Sequence, residues 1–469
     1  MKKIVSLLLM LAMAATLLSG CGSGNAGGGS TEAPATQTQG QTQGQTQAPA
    51  PAASSEAPAQ ELSGTITMFC SSDGQLGFDA VMAEYQKINP KVNIEYIIWE
   101  TVTDFETMMT NYIATGTMPD MYCAQVGVVE QQYAAEGYLV PLDDTGIEDL
   151  MVNGDTSLIK YDGKLYAIPT TASYSVTFAN NAKLKELGIT VDHSNYPKNM
   201  DEFVDLLQKC REAGCESPYG VAGSDTSSCT AWPFQYIYQV LYGDNPNYYA
   251  DILSGKEHWS DEAFVNMFNV YDRLRDYMSP DMTAKTTDSL YADFISGDTI
   301  FFNQTAGTLN KLRGLDPELD ILMLPPSFTV DASKQSLISG FDAGISITTN
   351  AKDVDLCKDF LKFVCQPENM TIFCNANNSV PTIKGAAPEM DPAYDLIMEI
   401  AGNGELPNSP ILSRQWIGGF KELLKTGCQD WLCGADPQEV ADKIEEDHAR
   451  LMEASPEWVD QFLKDYIYQ

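Results

Sequence analysis

The chain has 469 residues, is 44% hydrophobic and 20% charged, and carries a formal net charge of −36. That acidity argues against nucleic acid or anionic lipid as a partner, because either needs a basic patch. Its three histidines, His193, His258 and His448, are isolated, and no HExxH, GxSxG or Walker loop occurs; the single GxGxxG match, Gly22 to Gly27, lies in a Gly/Ser/Ala-rich stretch without the strand and helix that a nucleotide site needs.

At the N-terminus, Lys2 and Lys3 precede an almost wholly apolar run, Ile4 to Leu18, and the small residues Ser19 and Gly20. The run is short for a membrane span and reads as a secretion signal over residues 1–20. Leu18-Ser19-Gly20-Cys21 resembles the bacterial lipoprotein signal, the lipobox. That resemblance implies cleavage before Cys21 and lipidation of its thiol. From Gly22 to Gln60 the chain lacks Val, Ile, Leu and aromatics, and its only charges are Glu32 and Glu56. Such a segment cannot bury enough apolar area to offset its ordering entropy, so residues 21–61 are expected to be a lipidated cysteine and a disordered linker. As a coil it spans about 35 Å. The expected location is the extracytoplasmic face of the bacterial cell membrane, held by lipid alone.

The remaining stretch, about 400 residues from Leu62, is too long for one core and suggests two lobes. TITMFC, residues 65–70, alternates as a strand. Phe78, Val81, Met82 and Tyr85 then recur at helical spacing up to Asn89-Pro90. VNIEYIIW is a second strand. Phe105, Met108, Met109, Tyr112 and Ile113 form a second helical face. DMYCAQ, residues 120–125, is a third strand, and VVEQQYAAEG a third helix. Alternation at this spacing implies a mainly parallel, doubly wound α/β sheet. In such sheets a ligand sits outside the carboxyl ends of the strands, here at Ser71-Ser72-Asp73 and Ala124-Gln125-Val126. Further on, residues 196–214 read as a helix capped by Asn199 with Glu202 three on and Gly214 at its end. GDTIFFNQTAG, ILMLPP and ISGFDAGISIT read as strands, DVDLCKDFLKFVC as an amphipathic helix, and the tail from Pro407 as mostly helical.

Eleven cysteines occur, ten apart from Cys21. The closest pairs, Cys210/Cys215 and Cys428/Cys433, are not CxxC, and no cluster has zinc-finger spacing. Cys70, Cys123, Cys357, Cys365 and Cys374 lie in apolar patterns, and free buried thiols are preferred over a disulfide framework.

The ordered segments TMPDMYCAQ, GYLVPLDD, YDGKLYAIP and SVTFANNAKLKELGI with YPKNMDEF resemble those of the extracellular solute-binding proteins of ABC importers, the sugar and oligosaccharide group that includes maltose-binding protein. The third segment matches the family's D-G-K-x-Y-x-x-P, whereas Ala179-Asn180-Asn181 departs from its usual Tyr-Asn-Lys. The resemblance implies two α/β lobes of the class II periplasmic-binding type, joined by hinge strands with the ligand between them. It sets lobe 1 at residues 62–171 plus 317–375 and lobe 2 at residues 172–316 plus 376–469. It implies a monomer that delivers a carbohydrate to the transmembrane subunits of a permease, with no cofactor and no chemistry done on the ligand.

Hydroxyl-rich ligands call for hydrogen-bonding side chains and flat aromatic faces. Asp73 is read either as an acceptor of two hydroxyls or as a helix cap. Gln125 follows the third strand. Trp232 is a stacking platform or core. Asn303 and Gln304 follow the strand TIFF, in what the resemblance makes a cleft-lining turn. Asp342 lies near a return crossing, as ligand contact or buried turn carboxylate. By the resemblance Trp416 is the expected stacking aromatic, with Arg414 reaching the same cleft. Tyr174 and Ser173 flank the first hinge and are weaker candidates. Two other classes stay open: the same role for a peptide, polyol or sugar phosphate, and an anchored glycoside-acting enzyme using paired carboxylates.

Overall fold

The computed structural model describes residues 62–100, 102–152, 156–226 and 231–465. The signal peptide, Cys21 and the linker lie outside the described residues.

Strand β1 (Ser63–Ser71) runs parallel to β2 (Lys91–Trp99), in register from Ser63 opposite Lys91 to Ser71 opposite Trp99. β3 (Met121–Gln125) is parallel on the other side of β1. Between them, α1 (Ser72–Ile88) buries Phe78, Val81, Met82 and Tyr85 along one face, as their spacing requires. The Ser71 hydroxyl caps α1, accepting from the Gly74 N–H at 3.1 Å, and Asn89 ends it. α2 (Val102–Thr115) and α3 (Val128–Ala135) complete the repeat. The DGK segment is a tight turn between β4 (Lys160–Tyr161) and β5 (Lys164–Leu165), with Asp162 at φ 49° and Gly163 at φ 73°. Two consecutive left-handed residues match the twist of a hairpin, and Asp-Gly tolerates them. Asp120 is structural: its carboxylate accepts from the Thr67 N–H at 2.7 Å, the Thr67 hydroxyl at 2.6 Å and the Lys352 N–H at 2.7 Å.

After β6 (Ile168–Pro169) the chain leaves this sheet. β7 (Thr171–Asn180) is the axis of a second sheet, pairing antiparallel with β8 (Phe301–Thr305), β9 (Ile321–Leu324), β10 (Leu337–Phe341) and β12 (Val380–Pro381). β13 (Asn408–Ser409) lies parallel to β10. The chain returns to the first sheet at β11 (Ala343–Ile347), giving that sheet the order β2-β1-β3-β11-β6. The result is two α/β lobes linked by strands that cross near Thr170, Asp342 and Thr382.

The crossing at Asp342 moves a boundary. Residues 317–341, expected in lobe 1, carry β9 and β10, which pair with β7 in the second sheet. The run ISGFDAGISIT reads as strand throughout, so its two halves look alike until their pairing partners are known. The first lobe also extends past residue 375: Ile383 belongs to its core and bridges to Met151.

Each lobe has its own core. The first is aliphatic and thiol-rich, with Met68, Phe78, Ile345, Phe360 and Phe373. The second is aromatic, with Trp232, Trp259, Tyr271, Trp416, Phe420 and Trp431. Helix Met200–Glu212 starts as read, the Asn199 side chain accepting from the Glu202 N–H at 2.9 Å. Among the described residues nine cysteines are free, eight of them buried, with Cys433 exposed. No described helix is long and apolar enough to cross a membrane.

Candidate functional site

Because β1, β2 and β3 are parallel, their last residues, Ser71, Trp99 and Gln125, share one edge of the first sheet. β11 begins at that edge, with Ala343 opposite Gln125. Asp342, the crossing residue just before it, is thereby fixed beside the end of β3. Its backbone ties the crossing together: the Val126 N–H donates to its carbonyl at 2.8 Å, and its own N–H donates to the Thr171 carbonyl at 2.7 Å.

Three of the expected residues meet here. Asp342 Oδ1 accepts from Arg414 Nη2 at 2.6 Å and from Gln125 Nε2 at 3.4 Å. Gln125 belongs to the first lobe, Arg414 to the second and Asp342 to the crossing. The Arg414 side chain is 6% exposed and that of Asp342 38%. Nε and Nη1 of Arg414 are buried with no hydrogen-bond partner. The lobes touch at this point, because a Cβ added to Gly127 would lie 3.2 Å from the Arg414 carbonyl oxygen.

Charges surround the group. Glu130 is buried, its Oε2 accepting from the Gly127 N–H at 2.7 Å. Burial pushes its carboxyl up to about 8, against its backbone hydrogen bonds and the pull of Arg414. Burial lowers Lys421 to about 8, helped by Lys425 and Arg414. Burial also raises Glu106 of α2, and Lys421 opposes that rise. So Glu106 on α2 of the first lobe and Lys421 on helix Phe420–Leu432 of the second lie within electrostatic reach of each other.

The other expected residues fare differently. Asp73 is exposed in the first turn of α1; the cap is Ser71, so the Asp73 carboxylate is not spent on capping. Trp232 is core, 1% exposed and stacked on Tyr271 with ring centres 3.7 Å apart. Trp416 is also core, 2% exposed, its Nε1 donating to the Tyr242 hydroxyl at 3.1 Å and its ring packed on Phe234 and Phe420. Neither offers a face to a ligand, because each ring is enclosed by the aromatic core of the second lobe. Asn303 is spent on its own sheet: its Oδ1 accepts from the Tyr219 hydroxyl at 2.6 Å, and its Nδ2 donates to Thr177 Oγ1 and Gln235 Oε1, each at 2.7 Å. Gln304 is half-buried opposite Val176, its Oε1 accepting from the Thr305 N–H at 3.0 Å.

Sequence reasoning passed over Glu130 and Lys421, and set Trp99 aside as core or surface. Trp99 is half-buried at the end of β2, opposite Ser71, with its ring edge-on to Phe105 at 5.8 Å. Its place as the last residue of a parallel strand is a signal the sequence did carry. Tyr174, on β7 beside the crossing, is a second half-buried aromatic of this region. No group of three or more potential metal ligands occurs among the described residues.

Residues 80–398 match the profile of a family described as bacterial extracellular solute-binding protein. An ABC transporter extracellular-binding protein of Pyrococcus horikoshii is 22% identical over 348 residues, covering 72% of this chain and 75% of that protein. A multiple sugar-binding protein of Streptococcus mutans is 20% identical over 330 residues, covering 68% and 75%. The solved structure of a solute-binding protein, RafE, in complex with raffinose superposes with a TM-score of 0.69 at 18% identity, covering 83% of this chain and all of that one.

Proposed function

From the premise that this chain belongs to the bacterial extracellular solute-binding protein family, and so acts outside the cytoplasm, we propose that it captures a sugar or oligosaccharide between its lobes and delivers it to a membrane permease. The observation that carries this is the meeting of Gln125, Asp342 and Arg414, one from each lobe and one from the crossing. A hydroxyl needs both a donor and an acceptor, and this group offers both. Asp73, in the first turn of α1 just past β1, adds an exposed carboxylate, and Trp99 and Tyr174 supply apolar ring faces. The similarity to a multiple sugar-binding protein and to a raffinose complex favours the same ligand class.

The mechanism is differential binding. A ligand touching both lobes stabilises the closed form more than the open one, by as much as the extra contacts are worth. The permease then reads the closed form. Nothing in this cycle breaks a bond in the ligand. Lipidation of Cys21 is the proposed anchor, with the linker letting the lobes move above the membrane, and the protein acts as a monomer.

A thermal-shift screen of the mature chain against mono- and oligosaccharides, amino acids and peptides tests the reading. A ligand at 100 times its Kd adds about 2.7 kcal/mol. A shift with peptides and none with any sugar rejects the carbohydrate assignment. Reducing ends that accumulate with time reject the pure binding role. For the anchor, Cys21→Ala moves the protein from the membrane to the soluble fraction; retention in the membrane overturns lipid tethering.

A further inference from the structure

Resting on the carbohydrate reading above, we propose that the site accepts an acidic sugar, taking the carboxylate of a uronic acid unit at Arg414. Three independent features converge there. The Arg414 guanidinium is almost fully buried, makes one hydrogen bond, to Asp342 Oδ1, and leaves Nε and Nη1 without partners. Buried donors without acceptors are costly, and a charged group more so, so an oxyanion that reached Nε and Nη1 would satisfy both. Second, the N-terminus of α3 lies against the same residue, since Gly127 packs on the Arg414 backbone. The Val128 and Val129 N–H groups have no intrahelical acceptor, and the helix dipole favours a negative charge at that end. Third, Lys421, on helix Phe420–Leu432, lies within electrostatic reach of Arg414 and adds positive charge beside it.

The negative groups nearby do not cancel this. Asp342 gives Arg414 one oxygen. Glu130 points its Oε2 at the Gly127 N–H, and burial keeps much of it protonated near neutral pH. Glu422 accepts from Lys425 Nζ at 2.7 Å, and Glu106 interacts with Lys421 and Lys425. In a protein with a net charge of −36, a concentration of unpaired donors at the lobe junction is a local exception. Its complement is a ligand oxyanion on a planar group, which a guanidinium recognises better than an ammonium does. The sugar hydroxyls would remain with Gln125, Asp73 and the free oxygen of Asp342.

The test is calorimetry on the mature chain with matched pairs: tri-galacturonate against galactotriose, and glucuronate-bearing against plain xylo-oligosaccharide, with glucose 1-phosphate as a separate anionic probe. The expected result is at least a tenfold preference for the uronate partner at low salt, shrinking as salt is raised. Arg414→Gln abolishes the preference, and Arg414→Lys keeps part of it. Neutral partners that bind as tightly as their acids overturn the proposal while leaving carbohydrate capture intact. Binding of glucose 1-phosphate with rejection of both uronates replaces the carboxylate by a phosphate and overturns it too. Failure of every sugar rejects both readings. Should Arg414→Gln not fold, the salt dependence of the wild-type preference decides: a preference that salt does not weaken counts against an ion-paired carboxylate.

Discussion

Trp416 is enclosed by Phe234, Tyr249, Trp259 and Phe420, and its indole nitrogen is already engaged by Tyr242. Truncating it removes a large buried side chain and leaves a cavity. Trp416→Ala is therefore expected to cost about 3–5 kcal/mol of stability in denaturant unfolding. A variant with wild-type stability that simply loses sugar affinity would show the ring to be a ligand platform after all. His448 belongs to the same core, 1% exposed and hydrogen-bonded to the Tyr249 hydroxyl at 3.1 Å. Burial lowers it to about 4 from an ordinary 6.5. The folded form thus resists protonation more than the unfolded chain does. Its contribution is complete above pH 6.5 and is lost as the pH falls towards 4, about 3 kcal/mol in all. Melting curves at stepped pH are expected to show this loss, and His448→Gln to reduce it; equal slopes for both proteins would remove His448 as the cause.

At the scale of elements, the turn into α3 controls how closely the lobes meet. Gly127 has no room for a branched side chain against Arg414. Gly127→Val is expected to hold the seam open and weaken ligand binding at least tenfold, with little change in thermal stability of the free protein. Isothermal titration beside a melting curve separates these, and unchanged affinity would mean that closure does not bring Gly127 to Arg414. The helix Met200–Glu212 gives a simpler case. Asn199→Ala removes a cap and is expected to cost about 1 kcal/mol, read from the shift in denaturation midpoint.

Much of the element order was legible. Apolar residues at period two marked β1 and β2, and those at three and four residues marked α1, because burial on one face is all those elements need from the rest of the chain. What could not be read was partnership. Asp342 stands inside a run that reads as continuous strand, and only hydrogen bonding to β7 on one side and β3 on the other makes it a crossing. The same limit explains the tryptophans: a lone Trp in a polar turn looks alike whether a second lobe encloses it or leaves it open. Gln125, Asp342 and Arg414 were each named from position in a strand end or from family resemblance, but their contact spans 217 and 72 residues of chain.

For the whole molecule, two separate cores joined by three crossings allow relative motion without disturbing either core. Such motion concentrates at the few crossing residues, Thr170, Asp342 and Thr382 among them. Small-angle scattering is expected to show a smaller radius of gyration when a saturating ligand is added. A radius that does not change with ligand, in a protein that binds it, would place the conformational step elsewhere.

Taken alone, the chain's pattern determined the export signal expectation, the alternation of strand and helix, and hence the edge of the sheet where a ligand would go. Each of these depends on local spacing and composition, which a sequence states outright. The tertiary structure decided which candidates are spent on packing and which remain at the seam. That outcome depends on contacts between residues far apart in sequence, where burial and hydrogen-bond partners are set by the packing of whole elements rather than by neighbours in the chain.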